Sequence, residues 1–330
     1  MRASQIKEVI RESIKDSTNF PALFIWGGPG IGKSSVVKQV AREGDVECLD
    51  IRLLLLDPTD LRGIPVPEDG RAKWLAPNFL PKEGKGILFF DELNTAPVLV
   101  QNSALQLVLD RRLGEYVLPS GWCVISAGNR EMEAFVHRMS PPLLNRFIHI
   151  DFDVDIDEWV AWAIKNDIAP EIVAFLVKFR PELLYKFEKE KKSFPTPRAW
   201  EFCSRVIKNE FSQDLKYDLI KGAVGEGAAH ELEAYMHIWT KLPDLGRILK
   251  GDNIIPTDLD VMYATCVGLV ARAEKQDHYT RLLDYSLELK REFTTFLVKM
   301  LMEKDQKKVV SSPNWSKLSN VIVVEERLLI

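Results

Sequence analysis

Cysteine and histidine are scarce in this chain, at four and five among 330 residues. Cys48, Cys123, Cys203 and Cys266 stand far apart, and no pair has the short spacing of a zinc site or a redox motif. A structural metal is therefore not expected, and scattered thiols suit a reducing cytosol, where disulfides are rare. The four read as ordinary buried or half-buried thiols. Long apolar runs are missing too. Residues 53–56 and 87–90 are far shorter than the ~20 residues that cross a bilayer. The start, Met1-Arg2-Ala3-Ser4-Gln5-Ile6, leads into a charged amphipathic segment rather than an apolar signal core. The expectation is a soluble, cytoplasmic protein with no membrane association. Finally, basic charge is not in excess: 44 Lys and Arg face 48 Asp and Glu, for a formal net charge of -4. That balance gives no general attraction to nucleic acid and leaves room only for a local basic patch.

What is present suits a packed α/β protein. Hydrophobic residues make up 46% of the chain and charged ones 28%, and the length suggests two domains at about 150 residues each. Ile6, Val9, Ile10 and Ile14 recur at helical spacing, which predicts an amphipathic helix over about 4–16. Ala22-Leu23-Phe24-Ile25-Trp26 reads as a buried strand feeding a glycine loop. Beyond Lys33 the pattern turns helical again, with Val36, Val37 and Val40 on one side. Three further apolar runs follow: 86–90, ending in Asp91-Glu92; 122–127, ending in Gly128-Asn129; and 147–152. Runs of this kind suit strands covered on both faces, as in a doubly wound parallel sheet. Two stretches break the rhythm: the Pro/Gly-rich 57–85, and 111–121, which looks like a small hairpin. After about 153 the pattern is helical almost to the end, with a possible edge strand over 319–324.

The chemistry is concentrated in residues 27–34, Gly-Gly-Pro-Gly-Ile-Gly-Lys-Ser, which satisfy the G-x-x-x-x-G-K-S spacing of a P-loop. Glycines let successive N–H groups turn inward around phosphates, and the next helix adds its positive end. Gly28, Pro29, Gly30, Ile31, Gly32, Lys33, Ser34 and Ser35 are the expected ATP contacts. Lys33 should reach the β- and γ-phosphates, and Ser34 should hold Mg2+. Asp91 closes an apolar strand where a carboxylate can hold Mg2+, usually through its water shell. Glu92 is then placed to orient or deprotonate the attacking water. Two acids before a helix can equally serve as a cap favourable to its dipole. Asn129 could position the lytic water, or simply be a turn residue.

Taken with residues 88–94 (Leu-Phe-Phe-Asp-Glu-Leu-Asn), 125–129 (Ile-Ser-Ala-Gly-Asn), 141–147 (Pro-Pro-Leu-Leu-Asn-Arg-Phe) and 195–200 (Pro-Thr-Pro-Arg-Ala-Trp), the chain resembles an AAA+ ATPase over about residues 1–210. It looks most like the MoxR family, whose segment after the second strand is similar to residues 57–63. The resemblance implies a P-loop AAA+ core over 1–153, a helical lid over 154–240 and a helical C-terminal extension over 241–330. Residues 64–85 would be the helix-2 insert and 111–121 the pre-sensor hairpin. It implies that Asn129 is sensor 1, Arg146 the finger reaching a neighbour's γ-phosphate, and Arg198 the sensor-2 arginine. A guanidinium at either place stabilises charge spread over phosphoryl oxygens. Arg138 is a rival finger, Arg198 is also suited to opening a surface helix after Pro197, and Asn145 departs from the aspartate common before the finger.

A finger in trans needs an oligomer, and the resemblance implies a ring, most often a hexamer. It implies further an ATP hydrolase that remodels a partner protein complex as a chaperone does, often alongside a von Willebrand factor A-domain protein. A nucleic-acid-dependent motor or loader is the alternative. Trp74, Tyr116 and Val117 are candidate substrate contacts, with simple packing as the other reading. In the helical half, Trp159, Trp162, Ala163, Ile172, Phe175, Leu176 and Phe179 are spaced as buried faces. Leu269, Val270, Leu282, Leu283, Leu287 and Phe293 continue the apolar pattern. Residues 188–192 read as a solvated segment or a docking patch.

Overall fold

The computed structural model describes residues 1–130 and 139–319. Arg138 and the stretch 320–324 lie outside the described residues. The chain divides into two compact units, Met1–Asp155 and Ile156–Ile330; a further division at 240 stays a proposal. Among the described residues no helix is long and apolar enough to cross a membrane.

The first unit is built on a parallel five-stranded sheet. Its elements run α1 (Ala3–Lys15), β1 (Ala22–Trp26), α2 (Lys33–Glu43), β2 (Glu47–Arg52), α3 (Pro58–Arg62), β3 (Ile64–Glu68) and β4 (Arg71–Leu75). Then come β5 (Gly86–Asp91), α4 (Val98–Asp110), β6 (Arg112–Leu113), β7 (Tyr116–Val117), β8 (Trp122–Gly128), α5 (Pro141–Leu144) and β9 (Phe147–Asp151). The strand order is β2-β5-β8-β1-β9, all neighbours parallel. The helices α1 and α2 pack on one face, against β8 and β5. On the other, Val100, Ala104 and Leu107 of α4 join Phe24, Leu88, Phe90 and Val124 in one buried cluster. The three central strands are covered on both sides, which is why 22–26, 86–90 and 122–127 are apolar almost throughout.

The edges behave differently. The first edge, β2, was not among the apolar runs, because polar residues interrupt it: Glu47, Asp50 and Arg52 stand among Cys48, Leu49 and Ile51. The other edge, β9, was expected to be covered on both faces and is not: Ile148 and His149 are exposed. His149 is instead fixed by polar bonds. Its Nδ1 accepts from Trp26 Nε1 at 2.8 Å, so Nε2 carries the proton and donates to Leu144 O at 2.9 Å.

Both irregular stretches are hairpins. The 57–85 stretch contains the antiparallel pair β3–β4, with Pro65 opposite Trp74. Gly63 stands at its root with φ 86°, where an added Cβ would lie 1.9 Å from the Leu75 carbonyl oxygen, so only glycine fits. The 111–121 stretch holds β6–β7, with Leu113 opposite Tyr116. Trp74 and Val117 are exposed, while Tyr116 is half-buried and donates to Pro81 O at 2.6 Å.

The second unit is helical among its described residues: α6 (Ile156–Lys165), α7 (Pro170–Ala174), α8 (Pro197–Lys208), α9 (Gln213–Val224), α10 (Glu226–Trp239), α11 (Leu245–Leu249), α12 (Leu259–Arg272), α13 (Gln276–Leu287) and α14 (Arg291–Val310). Trp159, Ala163, Ile172, Phe175 and Leu176 are buried, with Trp162 and Phe179 half-buried. Leu269, Val270, Leu282, Leu283 and Phe293 are buried as expected. Leu287 is not: it ends α13, where the helix leaves the core, and it is exposed. All four cysteines are free, Cys48 half-buried and the others buried.

Candidate functional site

Topology brings three strand ends together. In the sheet order, β5, β8 and β1 are adjacent and parallel, so their carboxyl ends open on the same side. Ligands of open α/β sheets bind at that edge. Asp91 ends β5, Gly128-Asn129 follows the end of β8, and residues 27–32 leave the end of β1.

The loop itself is shaped by glycine. Gly30 and Gly32 have φ of 75° and 104°, backbone that side-chain-bearing residues rarely adopt. Gly27 is buried and tightly held: a Cβ there would come within 2.4 Å of Ile31 Cδ1 and 3.1 Å of Phe152 O. Gly28 and Ile31 are buried, Pro29, Gly30 and Gly32 half-buried, and Ser35 exposed. Gly32 caps α2 from a left-handed conformation and, having no side chain, offers none to the first N–H groups of α2. Such an end, following a glycine loop, is suited to phosphate oxygens.

Lys33 is buried, and its ammonium donates to Gly27 O at 2.8 Å, Gly28 O at 2.9 Å and Asn129 Oδ1 at 2.8 Å. One cation thus closes the loop on itself and ties it to the end of β8. Ser34 Oγ donates to Asp91 Oδ2 at 2.6 Å, a short charge-assisted bond. Adjacent ligands around Mg2+ at about 2.0–2.1 Å are roughly 2.9 Å apart. A hydroxyl and a carboxylate oxygen already at contact distance therefore fit that ion with little movement.

Glu92 follows Asp91 in a left-handed conformation, φ 56° and ψ 34°. A non-glycine residue there is strained, and such strain gathers at functional sites. Its N–H donates to Asp91 Oδ1 at 3.1 Å, and its carbonyl accepts from Thr95 Oγ1 at 2.7 Å. The two acids do not open a long helix as a cap would; a short 3-10 turn, Leu93–Thr95, follows them.

The loop, Lys33, Ser34, Asp91, Glu92 and Asn129 are thus brought together. Within the same unit, Arg146 is not among them. Arg146 precedes β9, whose Phe147 pairs with Ala22 and Asp151 with Trp26. It stands at the opposite end of the sheet, about 16 Å along the strand from the start of the loop. Its Nε is buried without a hydrogen-bond partner. Arg198 belongs to the second unit, exposed in the first turn of α8, where Thr196 accepts from Ala199 N. Two residues with no role in the sequence reading stand out here. Asn94 is buried and donates from Nδ2 to Asn129 O at 2.7 Å. Arg130 pairs with Asp153 at 3.0 Å, and chiefly this hydrogen bond, against the opposing effect of burial, holds that carboxyl below its usual range. A lone amide between Leu93 and Ala96 was the only available signal for Asn94.

No protein-family model matches the chain. It is similar to Replication factor C subunit 3 of Saccharomyces cerevisiae, 27% identical over 221 residues, covering 67% of this chain and 61% of that protein. It is likewise similar to Replication factor C subunit 3 of Blastobotrys adeninivorans, 23% identical over 219 residues, 65% of this chain and 59% of the relative. The chain therefore spans about three fifths of the length of these curated relatives. Among solved structures, a Thermotoga maritima RuvB mutant aligns over 93% of this chain and 87% of its own, at 13% identity and a TM-score of 0.38. NtrX from Brucella abortus in complex with ADP aligns over 96% and 68%, at 13% identity and a TM-score of 0.38. Overlaps this loose carry no weight for function. What the chain's own geometry establishes is a P-loop α/β unit with a parallel five-stranded sheet, followed by a helical unit.

Proposed function

We propose that this chain binds ATP with Mg2+ and hydrolyses it as one subunit of an AAA+ ring of the MoxR kind. The observation that carries the reading is the convergence of Lys33, Ser34, Asp91, Glu92 and Asn129 at the ends of three adjacent strands. Lys33 exchanges its carbonyl acceptors for phosphate oxygens, and backbone N–H groups of the loop, Pro29 having none, donate to the same phosphates. Ser34 and Asp91 hold Mg2+, which when bound neutralises charge on the phosphate oxygens. Glu92 takes a proton from the attacking water as its oxygen bonds to phosphorus and the bond to the leaving phosphate breaks. The Asn129 amide orients that water or a γ-phosphate oxygen without adding charge.

Arg146, far from the loop of its own chain, suits a site completed by a neighbour, and Arg198 takes the sensor-2 role. A homo-oligomeric ring is the assembly this division of labour asks for. The work done is remodelling of a partner protein complex, with a von Willebrand factor A-domain protein as companion. Similarity to a replication factor subunit favours a second reading, a nucleic-acid-dependent motor or loader, against which stands the net charge of -4. Phosphate release with Mg2+ tests the proposal. Glu92→Gln should cut turnover by about 10²-fold while nucleotide still binds; equal rates for variant and wild type would overturn it. Stimulation of turnover by DNA would decide for the second reading.

A further inference from the structure

Asn94 lies in the 3-10 turn behind Asp91 and Glu92 and is 2% exposed. Its Nδ2 donates to the backbone oxygen of Asn129 at 2.7 Å. A carbonyl only accepts, so this bond fixes which way the amide is turned. The other amide atom, Oδ1, is buried with no hydrogen-bond partner. It occupies the space beside Gly128, where an added Cβ would meet it at 2.4 Å. For stability alone this is a poor choice. The residues around it, Leu93 and Ala96, are apolar and fully buried, and an unpaired buried carbonyl is a cost that an aliphatic side chain would not carry.

The amide makes sense through what it joins. On one side stands the strained turn of Glu92, closed by Thr95, whose N–H and Oγ1 both donate to Glu92 O at 3.0 and 2.7 Å. On the other stands Asn129, whose side-chain oxygen accepts from Lys33 at 2.8 Å. We infer that Asn94 is a positioning residue: it latches the Glu92 turn to the end of β8, so that Glu92, the Asn129 amide and Lys33 keep one spacing. It touches no phosphate itself. It acts through the main chain of Asn129 and through the turn that aims Glu92. The inference rests on the hydrolysis reading and adds to it a residue that sets the geometry of the site without entering it.

The test uses the full chain with two substitutions. Asn94→Ala removes the amide; Asn94→Asp keeps its size and its acceptor but loses the donor. Phosphate release gives kcat, a fluorescent ADP analogue gives nucleotide affinity, and a thermal melt reports folding. Loss of one aligned hydrogen bond in a water-poor site predicts a fall in kcat of about tenfold for both variants. ADP affinity should change less than about twofold, and the melting temperature of Asn94→Ala should change little, since removal of the orphaned oxygen offsets the lost bond to Asn129 O. Unchanged kcat in Asn94→Ala overturns the inference, and so does a parallel loss of affinity, melting temperature and turnover, which marks a tether of the fold alone. A wild type that releases no phosphate overturns the hydrolysis reading and this inference with it. A wild type that turns over beside an equally fast Asn94→Ala overturns only the latter.

Discussion

At the scale of single residues, the site is defined by side chains that satisfy one another across the loop. Lys33 bonds to two loop carbonyls and to Asn129, and Ser34 bonds to Asp91. In the proposed reading, such contacts hold a phosphate site in shape and are exchanged when phosphate arrives. Glu92 adds strain to this arrangement, at φ 56°. Glycine adopts that conformation freely, at some cost in chain entropy. Glu92→Gly should therefore leave the melting temperature at or above that of the wild type while turnover is lost. A melt paired with a phosphate-release assay checks both halves; a clear drop in melting temperature would mean that the carboxylate supports the fold.

At the scale of elements, the hairpin β6–β7 is held at its base by one half-buried cation. Arg111 ends α4 in a left-handed conformation, and its guanidinium donates to Ser17 O at 2.8 Å, Pro119 O at 2.8 Å and Trp122 O at 2.6 Å. It joins the end of α1, the hairpin and the start of β8. Charged donors to three carbonyls are worth more than neutral ones, so Arg111→Ala should destabilise the protein by about 1.5–3 kcal/mol. Urea denaturation would show this as a lower midpoint. The hairpin over 111–121 was legible in the sequence, but its anchor was not, because the three acceptors lie 94, 8 and 11 residues from Arg111.

At the scale of the whole molecule, the proposal divides one site between two chains. Arg146 stands at the far end of the sheet from its own loop, at the start of β9. If it acts on a neighbour's nucleotide, Arg146→Ala should bind nucleotide normally and fail in turnover. Mixing Arg146→Ala with Lys33→Ala, each inactive alone, should then restore part of the activity, because one chain supplies an intact loop and the other an intact finger. Activity measured against total protein concentration checks the assembly. Mixtures that stay inactive while both variants still associate would sink the trans role and leave Arg146 a residue of the β9 entry.

The glycine loop, the central strands and the helices after 155 follow from local pattern: residue spacing determines which backbone turns left-handed and which faces are apolar, and this holds in any surroundings. The edge strand β2 did not follow, since polar residues interrupt it, and β9 was legible as a strand but not as one with exposed residues. Nor did the meeting of Asn129 with Lys33, 96 residues apart, or of Asn94 with Asn129, 35 apart. Those depend on strand order, which sets β5, β8 and β1 side by side and brings their ends to one place. The sequence by itself therefore determined the phosphate loop and offered Asp91, Glu92 and Asn129 as its partners, while only the tertiary structure decided which side chains bond to one another, because the sheet, not the spacing, carries them there.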